Sequence, residues 1–137
     1  LPSNEERIAL LAAAQLARQH AHAPYSRFKV GAAVLDEQRR IHAGCNVENA
    51  AYPQGLCAEA VALGAMVAAG GRRAHALLLL GEGPALLTPC GGCRQKLREF
   101  ADGATPVLLA DAEGVRRTLT LDELLPHGFG AAHLAAR

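Results

Sequence analysis

Ala74-His75-Ala76-Leu77-Leu78-Leu79-Leu80, Thr88-Pro89-Cys90-Gly91-Gly92-Cys93 and Pro106-Val107-Leu108-Leu109-Ala110 follow one another along the chain. The first and last are short, continuous apolar runs, the pattern of strands buried on both faces of a sheet. His75, near the start of its run, is expected at the surface. Between the runs, a proline and a glycine pair mark a turn feeding a helix start, and the helix is expected to reach about Ala101. Strand, helix and strand in this order predict a parallel, right-handed crossover over residues 74–110.

Working outward, Phe28 to Leu35 and Ile41 to Val47 read as two strands joined by the turn Asp36-Glu37-Gln38-Arg39, an antiparallel hairpin. Gly31 inside the first implies that another backbone or a ligand comes close. Gly114 to Thr120 adds a further strand after the turn Asp111-Ala112-Glu113. At the N-terminus Ser3-Asn4-Glu5-Glu6 is a capping box. It opens a helix to about His20, with Ile8, Leu11, Ala12 and Leu16 as its packing face. Cys57 to about Ala69 is a helix rich in small residues, closed by Gly70-Gly71. The tail, Leu121 to Arg137, holds a short helix, a break at Pro126-His127-Gly128 and a last alanine-rich helix. The order predicts an α/β fold: a mixed sheet with helices on both faces. No repeat or linker divides it, so a single domain over residues 1–137 is expected.

Composition narrows the function classes. Half of the 137 residues are apolar, 20% are charged and the formal net charge is +1. There is no basic surplus to draw in a nucleic-acid backbone. The few aromatics (Tyr25, Phe28, Tyr52, Phe100, Phe129) do not make a stacking platform for single strands. No stretch approaches a membrane span, and the alanine-rich start carries Glu5, Glu6 and Arg7 instead of a signal-peptide pattern. Four cysteines in that context read as metal ligands or reduced thiols and imply a cytoplasmic protein. Leu1 is not an initiator methionine, so a preceding residue or short segment is expected.

The cysteines carry the chemistry. Cys90 and Cys93 stand one helical turn apart on one face, the pincer spacing of a zinc site. Cys57, after Pro53-Gln54-Gly55, stands at a second helix start. Positive helix ends favour thiolates there. If the two helices pack side by side, their N-termini can converge on one metal. Glu59 lies two residues beyond Cys57, within reach of a water at the open fourth position. Unrelated buried thiols, a redox Cys-x-x-Cys and a structural zinc completed by Cys45 or a histidine are the competing readings. Cys45 itself reads as a small, buried apolar residue. A catalytic zinc with three protein ligands accounts for Cys57, Cys90, Cys93 and Glu59 together. The polar stretch Asn46-Val47-Glu48-Asn49-Ala50-Ala51-Tyr52-Pro53 is either a loop satisfying its own backbone or a pocket rim with Asn46 and Glu48 aimed at hydroxyl groups.

Cys57-Ala58-Glu59 followed by Pro89-Cys90-Gly91-Gly92-Cys93 resembles the three-cysteine motif of the zinc nucleoside deaminases. Pro24-Tyr25-Ser26-Arg27-Phe28-Lys29-Val30-Gly31-Ala32-Ala33, Asn46-Val47-Glu48-Asn49-Ala50, Thr88-Pro89-Cys90-Gly91-Gly92-Cys93-Arg94-Gln95 and Leu124-Leu125-Pro126-His127-Gly128-Phe129-Gly130 are similar to the small tetrameric cytidine deaminases. The resemblance spans nearly the whole chain. It implies a three-layer α/β/α fold with a five-stranded mixed sheet, one Zn²⁺ per subunit on Cys57, Cys90 and Cys93, and Glu59 as the proton carrier. The implied reaction is hydrolysis of cytidine or deoxycytidine to the uridine product and ammonia. By the same resemblance Phe28 stacks on the pyrimidine, Asn46 and Glu48 hold the ribose 3′-hydroxyl, and the Ala58 N–H bonds the base carbonyl. Ala50, Tyr52 and Phe129 match positions lent between subunits, which implies a homotetramer with composite sites.

One position departs from the pattern. The residue after the glutamate is usually Arg, donating to the sulfur ligands; here it is Ala60. Three thiolates with Zn²⁺ leave a net charge of −1, which weakens the metal's pull on its water. Arg94 or extra helix-end N–H groups are expected to offset it. The departure also admits a deaminase of a modified cytosine nucleoside of the blasticidin type, although Asn46 and Glu48 favour the plain nucleosides. A polynucleotide-editing deaminase would need a basic groove and stacking aromatics. A structural-zinc interaction protein would tolerate Glu59→Gln.

Overall fold

The computed structural model describes residues 1–135. Five strands, β1 (Gly31–Asp36), β2 (Ile41–Cys45), β3 (Ala74–Leu80), β4 (Pro106–Asp111) and β5 (Gly114–Thr120), form one sheet in the order β2-β1-β3-β4-β5. The central pair β3 and β4 is parallel, with Leu77 opposite Val107 and Leu80 opposite Ala110, as the two apolar runs predict. The other neighbouring pairs are antiparallel.

Side chains alternate across this sheet and so build two cores. On one face Ala33, Leu35, Ala76, Leu78, Leu80 and Leu108 pack with Leu10 and Ala14 of α1 (Asn4–Gln19). On the other, Ala32, Val34, Leu77, Leu79, Val107 and Leu109 pack with Ala62, Leu63 and Met66 of α2 (Ala58–Ala68) and Leu97 of α3 (Gly91–Phe100). The sheet is therefore the middle of three layers, and β3 and β4 are covered on both sides. His75 is exposed, as expected. Two short helices, α4 (Leu121–Leu124) and α5 (Ala132–Ala135), close the chain. The last two residues expected in the final helix lie outside the described residues.

The capping box at Ser3 forms as predicted: the Glu6 N–H donates to Ser3 Oγ at 3.1 Å and the Ser3 N–H to the Glu6 carboxylate at 2.9 Å. The packing face of α1 is corrected in part: Leu11 packs against the core as expected, but Ala12 is exposed. Leu10 and Ala14 are fully buried, whereas Ile8 and Leu16 are 70% and 61% exposed. The helix is apolar on two adjacent rows, and Gly31 selects between them. A Cβ at Gly31 would run into the Ala14 carbonyl oxygen and would stand 2.9 Å from Arg18 Cβ. Only a glycine lets that row settle on β1, and Arg18 Nε completes the seat by donating to the Lys29 carbonyl at 2.9 Å. Gly44 does the same for the other layer: its Cβ would stand 2.5 Å from the Ala62 nitrogen and 2.7 Å from the Ala58 oxygen of α2.

The hairpin strands are shorter than their sequence implies. Beyond Cys45 the Asn46 side chain takes the place of ladder bonds, accepting the Val30 N–H and donating to the Phe28 carbonyl. At the other end, the buried Asp36 accepts from the Gln38 and Arg40 amides at 2.8 and 2.9 Å and from Arg40 Nε at 3.0 Å. His42 Nε2 lies 2.8 Å from the same carboxylate. Burial pushes that carboxyl up, but the bonds from His42 and the two amides, with the Arg40 charge, outweigh it and hold the pKa at about 2.

Candidate active site

Cys57 is the N-cap of α2 and Cys90 the N-cap of α3, with Cys93 in the first turn behind it. Because α2 and α3 lie side by side on one sheet face, the three Sγ atoms come within 4.8 Å of one another. Tetrahedral Zn–S bonds of about 2.3 Å place sulfurs roughly 3.8 Å apart, so this donor set fits zinc with slight closure. The fourth candidate, Cys45, is not in the cluster and stays half-buried at the end of β2.

Helix-end placement lowers only one thiol. The Cys93 N–H bond to Cys90 draws that thiol below its usual value. Burial pushes Cys57 and Cys93 up, and at Cys93 the neighbouring Glu59 and Cys57 push further. Three crowded thiols beside a carboxylate call for a cation, since a coordinated thiol gives up its proton.

Glu59, the second residue of α2, is 5% exposed. Burial is the main force raising its carboxyl above the ordinary range, against a smaller pull from Cys93 and Lys96. A cleft of about 390 Å³ is lined by Cys57, Ala58, Glu59 and Cys90 together with Phe28, Asn46, Glu48 and Tyr52. Leu87 and Thr88, from the loop before Cys90, also line the cleft, as do Val30, Val47, Gly55 and Leu56, and none of the six is assigned to the site by sequence alone. For Leu87 and Thr88 the sequence signal is adjacency, since they immediately precede Pro89-Cys90.

Asn46 and Glu48 satisfy backbone groups of the chain and also line the cleft. Asn46 joins Val30 to Phe28, as described, while facing the cleft. Glu48 Oε1 accepts the Tyr25 and Ser26 N–H groups at 3.0 and 3.1 Å, and Oε2 accepts the Ser26 hydroxyl. Hydrogen bonds from that hydroxyl and from the two amides hold the Glu48 carboxyl below its usual range. Tyr52 stands on its own chain's cleft, in T-shaped contact with Tyr25 at 6.0 Å. Ala50 and Phe129 do not line that cleft; Phe129 stacks on His133 at 5.0 Å, and its carbonyl accepts from Gln95.

Arg94 makes no direct hydrogen bond to the sulfurs among the described residues. Its Nε donates to the Pro89 carbonyl at 2.7 Å, Nη1 to the Leu124 carbonyl at 2.7 Å and Nη2 to Thr88 Oγ1 at 3.3 Å. The guanidinium braces the loop in front of Cys90 against α4.

Residues 4–109 match the cytidine and deoxycytidylate deaminase zinc-binding region. The chain belongs to this deaminase family. It is 40% identical over 126 residues to a cytidine deaminase of Sporosarcina psychrophila, covering 92% of this chain and 93% of that protein. A cytidine deaminase of Mycobacterium tuberculosis H37Rv is 44% identical over 110 residues, 80% of this chain and 79% of its own. The crystal structure of the Burkholderia pseudomallei cytidine deaminase superposes with a TM-score of 0.84 at 40% identity, covering 93% of this chain and all of that one. The sheet order and flanking layers described above are thus the deaminase fold, and zinc is the metal of this family.

Proposed function

We propose that this protein hydrolyses cytidine and 2′-deoxycytidine to uridine and 2′-deoxyuridine, releasing ammonia. The observation that carries the reading is the burial of Glu59 beside three converging thiols, in a cleft also lined by an aromatic ring and a carboxylate. Cys57, Cys90 and Cys93 would hold the zinc. When bound, zinc supplies a Lewis acid that brings the pKa of water from 15.7 to about 7.

The rest falls to the chain's own groups. Phe28 stacks on the pyrimidine, while Asn46 and Glu48 engage the sugar. The free N–H of Ala58 at the start of α2 donates to the base carbonyl. Glu59 takes one proton from the attacking water and gives it to ring N3. It carries the second to the amino group, which leaves as ammonia once the new C4–O bond replaces C4–N. A carboxyl whose pKa is raised by burial suits such two-way transfer near neutral pH.

We infer further that the active assembly is a homotetramer with composite sites. Ala50 and Phe129 stand clear of their own cleft, and α2 and α3 leave an apolar groove between Gly64, Ala68 and Phe100 that suits a second copy. Four cysteines outside any disulfide support a cytoplasmic location, and hydrolysis of cytidine to uridine would serve pyrimidine salvage; no helix among the described residues is long and apolar enough to cross a membrane. The test is the ultraviolet change on mixing zinc-loaded protein with cytidine. The parent should convert it to uridine, and Glu59→Gln should retain zinc yet lose at least about 10²–10⁴ in turnover. Zinc retention with undiminished activity in that variant would overturn the role of Glu59. Turnover of a modified cytosine nucleoside in preference to cytidine would redirect the substrate assignment.

A further inference from the structure

We propose that Ser26 is a positioning residue that joins sugar recognition to base stacking; the proposal rests on the cytidine reading above. Its hydroxyl donates to Glu48 Oε2 and accepts the Phe28 N–H at 3.0 Å. One side chain therefore ties the carboxylate on one side of the cleft to the aromatic ring on another.

The surrounding backbone explains why such a tie is required. Arg27, between Ser26 and Phe28, has φ of 59°, a left-handed conformation that a residue with a Cβ adopts at a cost of about 1 kcal/mol. The Arg27 N–H closes this turn on the Ala23 carbonyl at 3.0 Å. Ser26 holds the strained residue from one side, and Asn46, donating to the Phe28 carbonyl at 2.8 Å, holds it from the other. Phe28 is thus fixed at its C=O by Asn46 of the cleft wall and at its N–H by Ser26, which lines the adjoining pocket behind Glu48.

The tie also sets what Glu48 can recognise. An ionised carboxylate offers about four acceptor positions. Ser26 and Tyr25 occupy three, two at Oε1 and one at Oε2. What remains is one acceptor position on Oε2 of a residue that lines the cleft, and it can take a donor such as a sugar hydroxyl. Without the Ser26 hydroxyl the carboxylate gains a second free position and rotational freedom, and Phe28 loses its N–H anchor. Both changes weaken nucleoside binding and leave the chemistry at Glu59 untouched.

The experiment is steady-state kinetics on zinc-loaded parent, Ser26→Ala, Ser26→Thr, Glu48→Gln and the Ser26→Ala/Glu48→Gln double variant, with melting temperatures alongside. Loss of one hydrogen bond to a charged group corresponds to about 10- to 100-fold. Ser26→Ala should raise KM for cytidine by that factor, with kcat within about threefold and a melting temperature lowered by no more than about 4–8 °C. Ser26→Thr, which keeps the hydroxyl, should restore KM. In the Glu48→Gln background Ser26→Ala should cost much less than alone, because the two residues act as one unit. A KM unchanged in Ser26→Ala, a loss confined to kcat, failure of Ser26→Thr to restore binding, or full additivity with Glu48→Gln would each overturn the proposal. Absence of turnover by the parent would instead show that the cytidine reading has failed, and the proposal with it.

Discussion

Arg94 donates from Nε to the carbonyl oxygen of Pro89 at 2.7 Å, and so an α3 side chain anchors the residue that precedes the first thiol of its own helix. The same guanidinium reaches Leu124 and Thr88, three partners in fixed planar geometry. Arg94→Gln should destabilise the fold by on the order of 3 kcal/mol and make zinc easier to strip. Arg94→Lys should fail to restore either property, because an ammonium cannot reproduce the fork. Urea unfolding and chelator competition measure the two effects. If Lys restores both, charge rather than geometry is the contribution of Arg94.

Asp36 makes acid stability testable at one residue. Its folded pKa is about 2, below the ordinary carboxylate value. As pH falls, the unfolded chain therefore takes up the proton first. The stabilisation is complete above about pH 5, and roughly 2–3 kcal/mol disappears as pH falls towards 2. Asp36→Asn should be less stable than the parent at pH 7, with the difference shrinking over that window. Denaturant unfolding at a series of pH values gives the comparison; a difference independent of pH would deny Asp36 this part.

Glu59 works in the opposite sense. Burial raises its carboxyl in the folded chain, so ionisation costs stability as pH rises past the ordinary carboxylate range. In metal-free protein Glu59→Gln should melt above the parent at pH 7, and the gap should close below about pH 4. Calorimetry on the two proteins tests this. A lower melting temperature in the variant would mean that the carboxylate stabilises the fold as well as serving the chemistry.

Two glycines separate packing from metal binding. Gly44→Ala would drive a Cβ into the α2 backbone and Gly31→Ala into that of α1. Each should cost about 1–3 kcal/mol. Only Gly44→Ala displaces the helix that begins beside Cys57, so only it should also weaken zinc affinity. Equal zinc affinity in the two variants would show that α2 absorbs the shift before it reaches its N-terminus.

Much of the fold is legible because local patterns match it. The apolar runs at 74–80 and 106–110 have no polar face, so they belong in the centre of a sheet, and the turn residues between them place α3. The capping box at Ser3 and the glycines after α2 are equally local signals. The packing face of α1 is not local. Ile8 and Leu16 are more hydrophobic than Ala14, yet the Ala14 row is buried because Gly31, distant in sequence, leaves room for it.

The same division runs through the site. Residue type and spacing alone determine that Cys57, Glu59, Cys90 and Cys93 can serve a zinc centre, since few other chemistries use three thiols and a carboxylate at helix starts. That the sulfurs meet within 4.8 Å depends on α2 and α3 sharing one face of the sheet. The partners of Arg94, Asn46, Glu48 and Ser26 were decided only by tertiary structure. Hydrogen bonds depend on distance and direction, and a sequence carries donors and acceptors without saying which of them will face one another.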